Sequence, residues 1–406
     1  MSEKTTFEIE DSIMAPFFVK QQVSIERGQG IYVWDEAGRK YIDFTAGWGV
    51  TCIGHAHPVI TAALLEQSRK IIQSPNSGLT YSPARAKLLK ILKTVLPPHL
   101  TRVFFSNSGA EANDAAIKLA RKVSGRLDII STHQSFHGRT ISTASATGQT
   151  TQREKFNPLM PNYRFVAFGD IDDLKQALDQ NVAAFIFEPI QGEGGVVIPS
   201  QKYLKLAQQI CHENQTLLIA DEVQTGFGRT GPMFATEDFG VEADFVTMAK
   251  GIAGGFPFGA FATPEAVAER LEVGDHGGTY CGNPLGCAVS SAVIKYLVEK
   301  DIPANVAKMG AFSLEIMSAW QNQFPDMITR VRGKGLLLFV AFKNEDLATR
   351  ISEICFQEGL FVRQTQKNGI RIFPALNITK AEMADGLEIL HKAIETISIE
   401  IQKEPG

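Results

Sequence analysis

The sequence predicts an α/β fold: a mostly parallel, doubly wound central sheet in a large domain, with a smaller α+β domain drawn from both chain ends. Three observations lead there. Short apolar runs recur through the middle of the chain, helix-patterned segments alternate with them, and the two ends follow a different pattern.

In chain order, Ile25 to Phe44 has the alternation and Gly turns of hairpin strands. Next come Arg102 to Phe105, Asp128 to Ile130, Ala183 to Phe187, Leu217 to Ala220 and Phe245 to Met248, short and apolar as buried parallel strands are. Glu111 to Val123 and Lys202 to Asn214 carry helical spacing between them. The C-terminal part mixes long helical segments with strands at Leu336 to Phe342 and Ile370 to Phe373. Boundaries near residues 55 and 290 divide the chain into 1–55 and 291–406, the two parts of the small domain, and 56–290, the large one. There is no internal repeat, low-complexity tract or long linker.

A chain of 406 residues, 44% hydrophobic and 21% charged, has room for two domains and a substantial core. Its formal charge of −4 is spread without a basic block, which argues against a nucleic-acid partner. The N-terminal Met-Ser-Glu-Lys-Thr-Thr lacks a signal-peptide layout, and the longest apolar stretch, Leu336 to Phe342, is too short for a bilayer. No membrane association and a cytosolic location are expected. Five cysteines without a Cys-x-x-Cys pair read as free thiols, and no metal centre is expected.

Three segments bear chemistry. Leu217 to Ala220 is an apolar strand ending in Asp221 and Glu222, and ligands of open parallel sheets bind at such carboxyl ends. Alone, the acidic pair could simply terminate the strand. Phe245 to Met248 delivers Lys250 into a Gly-rich segment, where a sheltered amine can lose its proton and form a Schiff base with an aldehyde. Alone, it could be a solvated strand-end lysine. Two successive strands putting an acid and a lysine at one edge shift the balance. In Asn107-Ser108-Gly109-Ala110-Glu111-Ala112-Asn113, a helix start presents free N–H groups and a partial positive charge to a phosphate, with an ordinary N-cap as the alternative.

Other patterns are discounted. Gly226-Phe227-Gly228-Arg229-Thr230-Gly231 fits a dinucleotide pattern by letter but lacks the adjoining strand and helix. Gly333-Lys334-Gly335 reads as a turn, and His55-x-His57 as a helix start.

Along almost its whole length the sequence resembles the class III, fold-type I pyridoxal 5'-phosphate (PLP) aminotransferases, in the acetylornithine and ornithine subgroup. The resemblance lies in Gly30-Ile31-Tyr32-Val33-Trp34-Asp35, Gly54-His55-Ala56-His57-Pro58, Ser108 to Asn113, and Phe136-His137-Gly138-Arg139. It continues through Glu188-Pro189-Ile190-Gln191-Gly192-Glu193-Gly194-Gly195, Asp221 to Gly226, Ala249-Lys250-Gly251 and Gly278-Thr279-Tyr280-Cys281-Gly282-Asn283-Pro284.

The resemblance implies that Lys250 holds PLP as a Schiff base and that Asp221 pairs with the pyridine nitrogen. It implies that Ser108, Gly109 and Ala110 bind the phosphate, with Thr279 reaching the cofactor of the neighbouring subunit in a homodimer with shared sites. Phe136 and Val223 would cover the two ring faces and Gln224 would bond the ring hydroxyl. Arg139 and Arg371 would clamp substrate carboxylates, with Glu193 neutralising Arg371 while the amino donor is bound.

The implied reaction moves the terminal amine of N2-acetyl-L-ornithine to 2-oxoglutarate, a step of arginine biosynthesis. Trp48 and Phe18 depart from the subgroup pattern at the donor end, so succinylornithine, ornithine, 4-aminobutyrate and other terminal amines stay open. A non-catalytic binding protein on the same fold is the alternative outside enzymes.

Overall fold

A computed structural model describes residues 5–75 and 78–403. Strands β1 (Ile25–Gln29), β2 (Tyr32–Asp35) and β3 (Lys40–Asp43) come first. The middle of the chain supplies β4 (Arg102–Ser106), β5 (Asp128–Thr132), β6 (Tyr163–Val166), β7 (Val182–Phe187), β8 (Leu217–Asp221), β9 (Phe245–Met248) and β10 (Gly259–Thr263). The C-terminal part adds β11 (Ile328–Lys334), β12 (Leu337–Phe342), β13 (Leu360–Phe361), β14 (Arg363–Thr365) and β15 (Gly369–Ile372).

The seven middle strands form one sheet in the order β4-β10-β9-β8-β7-β5-β6. Strands β5 to β9 run parallel, and β10 is antiparallel to both β4 and β9. The fold is therefore α/β with a mostly parallel central sheet. The five apolar runs are strands, each matching or extending the expected span by one or two residues, whereas β6 and β10 are additions.

Both faces of this sheet are covered, which is why the runs are continuously apolar. In β7 successive side chains point to opposite faces: Phe185 and Phe187 join the larger core, while Ala184 and Ile186 pack in the cluster under helix Gly109–Ser124. Burying each such phenylalanine is worth about 1.5–3 kcal/mol. Helix Gln201–Glu213 covers the opposite face with Tyr203, Leu204, Ala207, Ile210 and Cys211.

The two chain ends share a four-stranded sheet, β1-β2-β3-β13, in which Leu360 lies opposite Ile42 in parallel pairing. A third, antiparallel sheet runs β11-β12-β15-β14. The turn joining β11 to β12 holds Gly335 at φ +56°, where a Cβ would meet the Thr230 carbonyl carbon at 2.6 Å. His57 begins helix Pro58–Ser68, its ring accepting from the Val59 N–H. All five cysteines are free. Among the described residues no helix is long and apolar enough to cross a membrane, and no three His, Cys, Asp or Glu side chains group as a metal site.

Candidate active site

A cavity of about 320 Å³ opens at the carboxyl edge of the central sheet. Three adjacent strands end there: β7 before Glu188, β8 at Asp221, and β9 just before Lys250. Parallel strands of one sheet deliver their C-terminal residues to one side, so a carboxylate and an amine distant in sequence share a wall.

Asp221 is buried, and three hydrogen bonds from its neighbours hold it. Oδ2 accepts from Asn113 Nδ2 at 2.7 Å and from His137 Nδ1 at 2.7 Å, and Oδ1 accepts from the Val223 N–H at 3.1 Å. Asn113 is itself fixed, donating to the His137 carbonyl at 2.8 Å and accepting from Thr247 Oγ1 at 2.6 Å. Donors on both oxygens suit an ionised carboxylate. The other ring nitrogen of His137, Nε2, is buried without a partner among the described residues.

Glu188 stands beside this group. Oε1 accepts from the Phe136 N–H at 3.0 Å and Oε2 from the Gly192 N–H at 3.1 Å, so one carboxylate ties together two segments lining the cavity. Burial pushes its pKa up to about 7, with His137 opposing the rise and Asp221 adding to it.

Lys250 opens the short helix Lys250–Ile252 at φ +47°, a left-handed conformation uncommon outside glycine and found where local strain serves a site. Its Nζ donates to Gln224 Oε1 at 2.6 Å. Burial lowers the amine's pKa to about 8, with Glu193 working against the fall and Arg371 with it. Roughly a tenth of the amine is then free at pH 7, far more than for an ordinary lysine, as a nucleophile toward an aldehyde requires.

One end of the cavity lies at the start of helix Gly109–Ser124. Ser108 is its N-cap, Oγ accepting from the Glu111 N–H at 3.2 Å, and the Glu111 carboxylate turns back to the Asn107 N–H at 2.7 Å. The N–H groups of Gly109 and Ala110 have no acceptor among the described residues, which leaves two first-turn donors and the helix dipole for an anion. The cap therefore leaves these two N–H groups open. A Cβ on Gly109 would lie 2.8 Å from Val223 Cγ1, so only glycine lets the helix start sit flush against that side chain.

At the far wall, Arg371 is fully buried and donates through Nη2 to Glu193 Oε1 at 2.5 Å. Its Nε and Nη1 have no partner among the described residues. Burial would raise the Glu193 carboxyl, but Arg371 overrides this and holds it below its usual value. Arg139 also lines the cavity, its guanidinium 5.7 Å from the centre of the Phe136 ring and bonded to Gln152 Oε1 at 3.1 Å.

Of the residues singled out from sequence, Lys250, Asp221, Gly109, Ala110, Phe136, Val223, Gln224, Arg139 and Glu193 line the cavity, and Arg371 stands behind Glu193. Ser108 is adjacent as the helix cap. Trp48 lies outside the lining, 47% exposed at φ +68°, with the Arg363 guanidinium 4.4 Å above its ring. The single chain does not bring Phe18 or Thr279 to the cavity. Phe18 is 67% exposed in the segment after helix Thr6–Ile13, and Thr279 is exposed with its carbonyl bonded to Gln73 Nε2. Sequence reasoning gave no role to Asn113, His137 or Glu188, though all three line the site. Glu188 follows a strand just as Asp221 ends one, and that signal could have found it.

Comparison with known proteins follows the same direction. The family model described as aminotransferase class-III matches residues 15–394. An acetylornithine aminotransferase of Methanothermobacter thermautotrophicus is 42% identical over 397 residues, 98% of this chain and 100% of that protein. One from Vibrio parahaemolyticus is 39% identical over 399 residues, 95% of this chain and 97% of that protein. Among solved structures, the ornithine aminotransferase of Toxoplasma gondii, described with PLP at partial occupancy in its active site, has a TM-score of 0.92 at 30% identity. That match covers 98% of this chain and 95% of the other. A family match spanning all three sheets, with relatives aligned nearly end to end, makes one assignment: the chain belongs to the class-III aminotransferases.

Proposed function

We propose that this aminotransferase uses PLP to move the terminal amino group of N2-acetyl-L-ornithine to 2-oxoglutarate, giving N-acetyl-L-glutamate 5-semialdehyde and L-glutamate. The observation that supports a reaction with two unlike substrates is Arg371, a buried guanidinium with two unused donors whose charge is masked by the movable side chain of Glu193. The names of the relatives support the donor, and the Toxoplasma gondii structure supports the cofactor.

The residues present fit PLP. A partly deprotonated Lys250 suits its aldehyde, hydrogen-bonded Asp221 suits a protonated ring nitrogen, and the open N–H groups of Gly109 and Ala110 suit its phosphate. Ser108 would add a hydroxyl, Phe136 and Val223 would cover the ring faces, and Gln224 would meet the ring hydroxyl. When bound, the cofactor supplies an electron sink for carbanion charge and carries the amino group between half-reactions.

The chain's own groups do the rest. Lys250 Nζ would take a proton from the substrate carbon and deliver it to the carbon supplied by the cofactor's aldehyde, acting as base and then acid. Arg139 binds the distal carboxylate of 2-oxoglutarate. Arg371 takes its α-carboxylate once Glu193 swings away, and Glu193 masks that charge again while the donor is bound. Trp48 and Phe18 shape the donor end. The active unit is a cytoplasmic homodimer in which Thr279 reaches the partner's cofactor. Each subunit has a large domain over 56–290 and a small one from 1–55 and 291–406. Strongly exposed Leu79 and Tyr81 are surfaces for such a partner to cover.

Two measurements test this reading. Borohydride trapping of the holoenzyme followed by peptide mapping should put the label on Lys250, and a label elsewhere refutes the cofactor assignment. In a donor panel with 2-oxoglutarate, N2-acetylornithine should give the highest kcat/KM with ping-pong kinetics, and higher values for succinylornithine, ornithine or 4-aminobutyrate reassign the donor.

A further inference from the structure

The antiparallel pairing of β14 with β15 sets Arg363 directly opposite Arg371. Opposed residues of an antiparallel pair project to the same face with Cβ atoms about 4.5–5.5 Å apart, and like charges placed so repel. Only Arg371 has a carboxylate partner, Glu193. Arg363 is exposed, has no carboxylate partner among the described residues, and rests on the Trp48 ring with 4.4 Å between guanidinium carbon and ring centre. The turn that presents the ring is left-handed at three successive residues, Gly47, Trp48 and Gly49, at φ 56°, 68° and 77°. Two cations thus face one anion.

The anion is also the group that must move. If Glu193 releases Arg371 to a substrate carboxylate, its own charge, largely enclosed, is left without a partner, which is strongly unfavourable. Its main chain cannot carry it away, since the Glu193 carbonyl accepts from Gln366 Nε2 at 2.9 Å and the Gly195 carbonyl from Arg332 Nε at 2.7 Å. These bonds tether the main chain, so rotation of the side chain is the movement that leaves them intact. Glu193 feels Arg371 most, then Lys250 and Arg363, so both arginines act on this carboxylate.

We infer that Arg363 is the second station for the Glu193 carboxylate: Glu193 alternates between Arg371, when the donor is bound, and Arg363, when a dicarboxylate occupies Arg371. Arg363 is then a positioning residue that acts through Glu193, with Trp48 holding its guanidinium in place. This inference rests on the alternation of Glu193 proposed above.

Glutarate, a dicarboxylate with neither a keto group nor an amine, separates binding from turnover and can be titrated into the holoenzyme by calorimetry. Glu193→Gln should tighten glutarate about tenfold, because Arg371 no longer has a competitor. Arg363→Gln should weaken it about threefold in the native background, and Arg363→Lys should recover most of that loss. In the Glu193→Gln background, Arg363→Gln should have no effect, since no carboxylate needs receiving. If Glu193→Gln fails to tighten glutarate, the alternation is wrong and the station with it. If Glu193→Gln tightens glutarate but Arg363→Gln changes nothing, or weakens it equally in both backgrounds, the alternation stands and the role of Arg363 is overturned. Thermal melting of each variant checks that the fold is retained.

Discussion

His137 Nδ1 lies 2.7 Å from Asp221 Oδ2, with both side chains enclosed by protein. The imidazole supplies one of the two donors to that oxygen, Asn113 the other. Replacing His137 with leucine leaves Oδ2 with Asn113 alone. The expected result is a stability loss of about 1–3 kcal/mol and about tenfold weaker PLP binding. Urea denaturation of the cofactor-free protein and a PLP titration measure the two effects.

Lys250, as the proposed attachment point, should set the pH at which cofactor attaches. Burial lowers the amine's pKa to about 8, with the Glu193 charge resisting the fall. The rate of PLP attachment to cofactor-free protein should rise with pH and level off above about 8. Glu193→Gln removes the resisting charge and should move the midpoint lower, while Arg371→Met should move it higher. Stopped-flow absorbance across a pH series checks the direction of both shifts.

Glu188 should shape the acid side of the stability curve. Its carboxyl keeps a proton up to about 7 in the native protein, against an ordinary 4.5. The native state therefore binds more protons than the unfolded chain between those values. Stability from this group is complete below the ordinary value and is lost as pH rises through the native one. The total is on the order of 3 kcal/mol. Glu188→Gln should flatten that segment, as measured by urea denaturation of the cofactor-free protein at a series of pH values.

Gly109→Ala places a Cβ 2.8 Å from Val223 Cγ1, and the side chain expected to press on the cofactor ring has to shift. The expected cost to PLP affinity is about 1–3 kcal/mol. Adding Val223→Ala should recover part of the loss, and a double-mutant cycle on PLP binding shows whether the two positions are coupled.

Much of this was legible because buried parallel strands announce themselves by composition. The runs at 102–105, 128–130, 183–187, 217–220 and 245–248 are apolar on both faces, and their ends place Asp221 and Lys250 at one edge. Strand β6 escaped because Tyr163, Arg164 and Phe165 are only partly buried at the sheet edge. Strand β10, Gly-Ala-Phe-Ala-Thr, has little apolar bulk, and its reversed direction comes from inserting between the preceding strand β9 and β4, which is far away in the chain. The opposition of Arg363 and Arg371 is a register property and has no local signature. Trp48 reads as an apolar residue between two glycines, and nothing in that triplet reveals the arginine it supports.

The hydrogen-bonded carbonyls of Glu193 and Gly195 have a kinetic meaning for the proposed alternation. A change of polarity accomplished by torsions of one side chain needs no domain or loop movement, and such collective movements run on the microsecond-to-millisecond scale. If Glu193 alternates in this way, it would re-equilibrate faster than the roughly 1–10³ turnovers per second that enzymes commonly reach. The relative occupancy of donor and acceptor would depend on their concentrations and affinities, with no slow gate to favour whichever arrived first.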